Sequence, residues 1–285
     1  MATLRQLRTR VSSIQNIQKV TNAMQLVAAA RMRKAQGDIL AARPYAEKLD
    51  SILRRLSGSV APDQHPMLIE REVRRVAVAV VASDRGLCGG FNASVFRRAV
   101  TEISELEGVD TDVISVGRKA RNYFGNRDYN VVQEHTDVFR NLEFGIASSI
   151  AQDLANRFVS GDVDRVLLVY SQFQSVAQQV PVVQQLLPIV PEAATEEEHT
   201  TEFLFEPDPD RLLAALIPKQ VNFQVWRAFL ESNAGEQAAR MQAMDNATKN
   251  AGDLIDELSR EVNKVRQTAI TLELMDIIGG AEAVS

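Results

Sequence analysis

Two stripes of apolar residues, one at each end of the chain, restrict its possible folds more than any other feature. Near the C-terminus, Met241, Met244, Thr248, Ala251, Ile255, Leu258, Val262, Val265, Ala269 and Leu272 alternate steps of three and four without a break. Near the N-terminus the same alternation begins at Leu4, Leu7, Val11 and Ile14. It continues through Ala28, Met32, Ala35, Ile39, Ala42, Ala46, Leu49, Leu53 and Leu56. This spacing is the a/d seam of a coiled coil. Between the two N-terminal stretches, Ile17, Val20, Met24 and Val27 keep the steps in another phase, which predicts a stammer and a local change of winding. Pro44 and Pro218 fall inside the helical patterns and predict kinks. At the rise of an α-helix, Thr3 to Leu56 would run about 80 Å and Leu212 to Val284 about 110 Å. Each seam is most simply covered by the other, as an antiparallel pair. Ala247, Ala251 and Gly252 would let the partner backbone come close.

The middle of the chain has a different period. Val76 to Val81 is a short apolar run, as expected of a strand buried on both faces. Ser83 to Gly90 reads as a loop and Ala93 to Leu106 as a helix. Val113 to Val116 reads as a strand, the neighbourhood of Arg118 to Phe124 as a short helix, and Asn130 to Val132 as a weaker strand. Phe144 to Phe158 predicts a helix and Arg165 to Tyr170 the strongest strand. Val176 to Val190, interrupted by Pro181 and Pro188, suggests a final strand pair. Strands alternating with helices indicate an α/β layer with a largely parallel sheet. Glu196 to Glu198 and Pro207 to Pro209 mark a solvated linker. The predicted fold is therefore α/β: a long antiparallel coiled coil of N- and C-terminal helices plus a central Rossmann-like domain. Its segments are residues 1–57, 74–195 and 209–285.

Charge is unevenly spread. The net charge is -5, yet Arg5, Arg8, Arg10, Lys19, Arg31, Arg33, Lys34, Arg43, Lys48, Arg54 and Arg55 outnumber Asp38, Glu47 and Asp50 in the first helix. Such a block attracts an anionic surface. It lacks the interleaved aromatics of a nucleic-acid interface, and apolar seam positions share the same helix, so a protein partner is favoured. With Cys88 as the only cysteine, no disulfide framework, CxxC pair or cysteine-rich zinc site can form within one chain. His65, His135 and His199 are scattered and suggest no metal cluster. No apolar run approaches the roughly 20 residues of a membrane span, and the basic N-terminus lacks the apolar stretch of a secretory signal.

The most enzyme-like feature is the loop from Ser83 to Gly90, placed between a strand and a helix as phosphate-binding turns are. Its glycines, Gly86, Gly89 and Gly90, do not have dinucleotide-loop spacing, and no P-loop pattern occurs in the chain. A tight structural turn or a contact loop is the better reading. Cys88 has no base indicated beside it for nucleophilic work. Asp253 and Glu257, four residues apart, are the kind of pair that solvated helix faces produce routinely. No catalytic, cofactor-binding or metal-binding residue is expected. The competing readings are an α/β nucleotide-binding enzyme with helical arms, and a coiled-coil adaptor or nucleic-acid clamp.

The residues themselves carry a resemblance. Ser12 to Ala30, through Arg33-Lys34-Ala35-Gln36, resembles the N-terminal helix of the γ subunits of F-type ATP synthases. Ser83-Asp84-Arg85-Gly86-Leu87-Cys88-Gly89-Gly90 with Asn92 is similar to that family's mid-chain loop. Phe205-Glu206-Pro207-Asp208 resembles the lead into its last helix. Glu236 to Thr248, Asn263 to Thr271 and Glu273 to Ala283 are similar to its shaft. These stretches extend from near the first residue to near the last.

The resemblance implies a non-catalytic rotor. Proton flow through a membrane c-ring would turn this shaft inside a hexamer of three α and three β subunits, with an ε-type subunit on the stalk. The shaft would drive ATP synthesis or hydrolysis at the β subunits. Neither nucleic acid nor a direct small-molecule substrate is implied, and the expected location is peripheral, at the cytoplasmic face of a bacterial plasma membrane. The resemblance also implies contacts with β through Met24, Arg85, Cys88, Arg266, Gln267 and Thr271, and an acidic β loop opposite Arg31, Arg33 and Lys34. The loop position and polar neighbours of Cys88 predict a surface thiol. Chloroplast-type members carry an insertion with a regulatory cysteine pair; this chain has neither, which removes thiol switching and fits a plain bacterial type.

Overall fold

The computed structural model describes residues 3–57, 65–190 and 208–282. They belong to two compact units, Met1–Ala28 with Arg240–Ser285, and Ala29–Ala239. Helix α1 (Leu4–Ser57) and helix α5 (Pro209–Glu282) each contribute to both. Both helices start on sequence signals. The Thr3 hydroxyl accepts from the Gln6 amide at 3.3 Å while the Gln6 side chain accepts from the Thr3 amide at 2.8 Å, a reciprocal capping box. Asp208 caps α5 by accepting from the Arg211 amide at 2.8 Å, with Pro209 at the position where a missing N–H costs least. The helices run through Pro44 and Pro218 without a break in helical backbone.

The larger unit holds a five-stranded sheet in the order β3-β2-β1-β4-β5. Its strands are β1 (Arg75–Val81), β2 (Asp110–Val116), β3 (Asn130–His135), β4 (Arg165–Phe173) and β5 (Gln179–Leu187). The first four are parallel and β5 runs antiparallel to β4. Helices α2 (Phe91–Glu105), α3 (Arg118–Phe124) and α4 (Phe144–Val159) connect them. Side chains alternate across β1, so Val76, Val78 and Val80 pack with α2 and α3 while Ala77, Ala79 and Val81 pack with α4 and with Val221, Val225 and Phe229 of α5. A strand covered on both faces reads as an uninterrupted apolar run, and β1 does. The final strand pair expected over Val176 to Val190 is instead the single strand β5. As an edge strand it tolerates Pro181, whose missing donor faces no further strand of the sheet. The expected linker over 196–198 lies outside the described residues.

Tyr170 of β4 is 4% exposed and donates to Gln184 Oε1 at 3.2 Å. Its pKa is pushed up to about 12, first by burial and then by nearby Glu231, with Arg227 opposing. The native state therefore keeps the phenol proton to higher pH than the unfolded chain, which releases it near pH 10. The stability this contributes is complete below pH 10 and is lost as pH rises through about 12. Urea midpoints measured across that window are expected to fall for the native chain and to fall less steeply for Tyr170→Phe. Parallel curves would show that Tyr170 is not the group responsible.

The smaller unit is an antiparallel helix pair with an apolar seam of Leu7, Val11, Ile14, Ala251, Ile255, Leu258, Val262 and Val265. The stammer expected between Ile14 and Ala28 is corrected by the structure. Gln18 Nε2 donates to the Thr248 carbonyl at 3.4 Å, Thr21 and Thr248 share a hydroxyl hydrogen bond at 2.7 Å, and Gln25 Nε2 donates to Asp245 Oδ1 at 3.0 Å. The inward positions of α1 thus run 7, 11, 14, 18, 21, 25 and 28 in unbroken heptad phase, with polar residues at three of them. Ile17, Val20 and Val27 are 55%, 58% and 52% exposed, on the outer side. Apolar character alone pointed to the wrong stripe.

Candidate functional site

The Ser83–Gly90 loop leaves the C-terminal end of β1, next to the point where strand order reverses, the usual crevice for a ligand in an open α/β sheet. The loop is closed on itself. Ser83 donates from its amide to Asn92 Oδ1 at 3.0 Å and from its hydroxyl to the Arg85 carbonyl at 2.6 Å. Asn92 Nδ2 reaches Cys88 Sγ at 3.2 Å. Asp84 accepts from the amides of Arg118 at 3.0 Å, Asp137 at 2.9 Å and Phe139 at 3.2 Å, tying this loop to the two that follow β2 and β3.

Helix α5 takes up the space a dinucleotide would need. The Ser171 amide, near the end of β4, donates to Ser232 Oγ at 3.4 Å. Gly235 lies so close that an added Cβ would meet Phe91 at 3.3 Å and Ser171 Oγ at 3.4 Å. Phe91 is the first residue of α2, where a phosphate would otherwise sit. Among the described residues no three His, Cys, Asp or Glu side chains group as metal ligands. The loop is built as a rigid turn rather than a cradle.

Cys88 is buried, 2% exposed, which corrects the expectation of a surface thiol. The cause is backbone geometry: Leu87 and Gly89 both take positive φ, 63° and 56°, and turn the thiol inward toward Asn92. Arg85 and Leu87, with Gly89 and Gly90, are the exposed members of the loop. Leu87, 64% exposed in a left-handed conformation that bulky side chains rarely adopt, was not singled out from the sequence; only a neighbouring glycine hinted at the turn.

Met24 is half-buried, whereas Arg266, Gln267 and Thr271 are exposed. The structure does not bring these four together. Gln25 faces Asp245, so Met24 stands roughly 30 to 40 Å along α5 from the other three. Arg31, Arg33 and Lys34 are all exposed. The even pairing of the helices ends where α1 begins, near Val265. Beyond it Ile270, Leu272, Leu274, Met275, Ile277 and Ile278 of α5 are 49% to 68% exposed. These side chains cover a broad face of the helix, with Glu273 outside it, and so wide an exposed apolar face is one built to be enclosed. None of the described helices is long and apolar enough to cross a membrane.

Residues 3–284 match the family described as ATP synthase. The chain is 44% identical over 284 residues to the ATP synthase gamma chain of Pelotomaculum thermopropionicum, covering 100% of both. It is 46% identical over 291 residues to that of Chlorobaculum parvum, covering 100% of this chain and 99% of the relative. Among solved structures, a chain in the Euglena gracilis mitochondrial ATP synthase OSCP/F1/c-ring structure aligns with a TM-score of 0.67 at 18% identity, over 99% of this chain and 94% of that one. A chain of the Tetrahymena thermophila mitochondrial ATP synthase central stalk aligns with a TM-score of 0.61 at 23% identity, over 80% and 99%. At these identities the structural matches speak for the fold.

Proposed function

The chain belongs to the ATP synthase γ-chain family, and from that premise we propose that it is a non-catalytic rotor shaft coupling proton flow through a membrane ring to ATP synthesis and hydrolysis at separate β subunits. The observation that carries this reading is the end of α5, which continues past its partner helix with a broad face of exposed apolar side chains. Enclosure by a ring of three α and three β subunits would cover it. The exposed basic residues Arg31, Arg33 and Lys34 suit an acidic loop of β, and Arg85 suits a contact at the rim of the same subunit. Met24, Arg266, Gln267 and Thr271 would meet β at two separate levels. With its thiol buried, Cys88 would act by shaping the loop that presents Arg85. An ε-type subunit and the c-ring complete the partners, which puts the chain peripherally at the cytoplasmic face of the membrane. Torque transmission asks for stiff paired helices, and the chain devotes both of its long helices to that pair.

Two measurements test the proposal. The highly purified chain is expected to show no ATP hydrolysis, and turnover that vanished on substituting one of its residues would overturn the reading. In the assembled complex, Arg85→Cys should form a disulfide with a cysteine placed in the acidic loop of β, given Cα atoms within about 7 Å. Oxidation should then abolish multi-site ATP turnover, and reduction restore it. Full turnover in a completely cross-linked sample would rule out rotation of this chain against β.

A further inference from the structure

Three consecutive inward positions of α1, Gln18, Thr21 and Gln25, are polar, next to an apolar seam that runs from Leu7 to Ile14 on α1 and from Ala251 to Val265 on α5. They face α5 in even steps. Gln25 meets Asp245, Thr21 meets Thr248, and Gln18 lies 3.1 Å from where a Cβ on Gly252 would stand. Continuing those steps sets Ile14 against Ile255, Val11 against Leu258, and Leu7 against Val262, all members of the observed seam.

The apolar half of the pair does not by itself fix this alignment. Slide α5 by one heptad, about 10 Å along the axis. Leu4, Leu7, Val11 and Ile14 then meet Leu272, Ala269, Val265 and Val262, apolar throughout. The slipped pair would even cover Leu272, which the observed one leaves 59% exposed. Within the smaller unit, apolar burial therefore favours the slip or is indifferent to it; in the larger unit the same helices are joined separately, Gln220 Nε2 donating to Asp50 Oδ1 at 2.6 Å. The polar positions are not indifferent. After the slip Gln18, Thr21 and Gln25 would press on Leu258, Ile255 and Ala251, and all three cross-helix hydrogen bonds would be lost. A polar group held without a partner bears the whole cost of leaving water.

We propose that Gln18, Thr21 and Gln25, with Asp245 and Thr248, form a register lock that selects one axial alignment from those the heptad seam allows. A polar residue at a seam position trades stability for alignment, and here three in succession do so. The lock determines how much of α5 extends beyond α1. That it thereby sets the reach of the shaft's tip rests on the function proposed above; the lock itself does not.

Disulfide trapping in the purified full-length chain reads the register without nucleotide or partner subunits. Ile14→Cys with Ile255→Cys reports the observed alignment, and Ile14→Cys with Val262→Cys the slipped one. Cys88, 2% exposed, does not compete. The first pair is expected to cross-link at least about tenfold faster than the second in the otherwise native chain, the selectivity expected of a few lost buried hydrogen bonds. With Gln18→Leu, Thr21→Val, Gln25→Leu, Asp245→Leu and Thr248→Val together, that preference should fall below about threefold while the urea midpoint rises. Should this variant fail to fold, Thr21→Val with Thr248→Val removes one polar layer at nearly constant volume and should reduce the preference measurably. A preference as strong as the native one in the variant that folds, or no preference in the native chain, would overturn the lock. Neither result touches the absence of ATPase activity or the cross-link to β, so the two proposals fail separately.

Discussion

Gly117→Ala is expected to destabilise the α/β unit by about 4 kcal/mol or more, lowering its thermal midpoint by roughly 10 °C or preventing folding. Gly117 follows β2 with φ at 93°, in the region that glycine alone enters freely. A Cβ there would lie 2.0 Å from the carbonyl oxygen of Ala82 and 2.8 Å from its carbon. Neither backbone can withdraw. The Ala82 amide is bonded to the Val116 carbonyl at 2.9 Å, and the Gly117 amide to the His135 carbonyl at 2.7 Å. These bonds continue the parallel ladder from β1 through β2 to β3. Gly90→Ala is the matched control, since φ there is -84° and nothing lies within 4 Å of an added Cβ. It should shift the urea midpoint by no more than about 0.5 kcal/mol equivalent. Equal losses in the two variants would mean that the clash at Ala82 is not the cause.

Arg157→Met is expected to cost about 3 to 5 kcal/mol, because it would strand a buried carboxylate. Asp112 of β2 is 5% exposed and is held by Arg157 of α4 and by Asn130 Nδ2 at 2.7 Å. Arg157 also donates through Nε to Asp162 at 2.6 Å. Burial opposes the guanidinium charge, but the hydrogen bonds that Arg157 donates to Asp112 and Asp162 outweigh it and raise its pKa. Asp112→Asn in the Arg157→Met background should recover part of the loss, since a neutral amide does not need the cation. Arg74 and Glu72 form an equally short pair at 2.6 Å, but with side chains 79% and 78% exposed. Replacing Arg74 by methionine should change stability by less than about 1 kcal/mol. Urea denaturation of the three variants checks the ordering. A loss at Arg157 no larger than that at Arg74 would refute the buried-pair argument.

What could be read from the sequence divides along physical lines. The strand β1 and the helices α2 to α4 were legible because each carries its own signal, an apolar run or a 3.6-residue period. The overlap of α3 with Arg118 to Phe124 follows from the breakers Gly117 and Gly125 on either side. The seam of α5 was legible along its length, and so was the bare apolar patch of Leu272, Leu274, Ile277 and Ile278 at its end. The inward face of α1 between Ile14 and Ala28 was misassigned. Ile17, Val20 and Val27 are more apolar than Gln18, Thr21 and Gln25, and only the partner residues Asp245 and Thr248 reveal which set is enclosed. Cys88 was misplaced because a loop side chain's direction depends on the dihedrals of its neighbours, and composition does not encode those. The plugging of the crevice by Ser232 and Gly235 was equally hidden, being a contact between distant parts of the chain.

The pairing of Gln25 with Asp245 joins residues 220 positions apart in sequence, and that of Gln18 with Thr248 joins residues 230 apart. The coiled coil is thus closed by two segments that leave the ribosome far apart in time. At about 5 to 20 residues per second, the beginning of α1 waits roughly 10 to 50 s for its partner. Throughout that interval Leu7, Val11 and Ile14 are bare on one side and Ile17, Val20 and Val27 on the other. The sheet, by contrast, can assemble while synthesis continues, since β1 to β5 are contiguous in the chain. Birth order therefore leaves the nascent N-terminus as the stretch most in need of a chaperone's hold, until the final helix emerges to cover it.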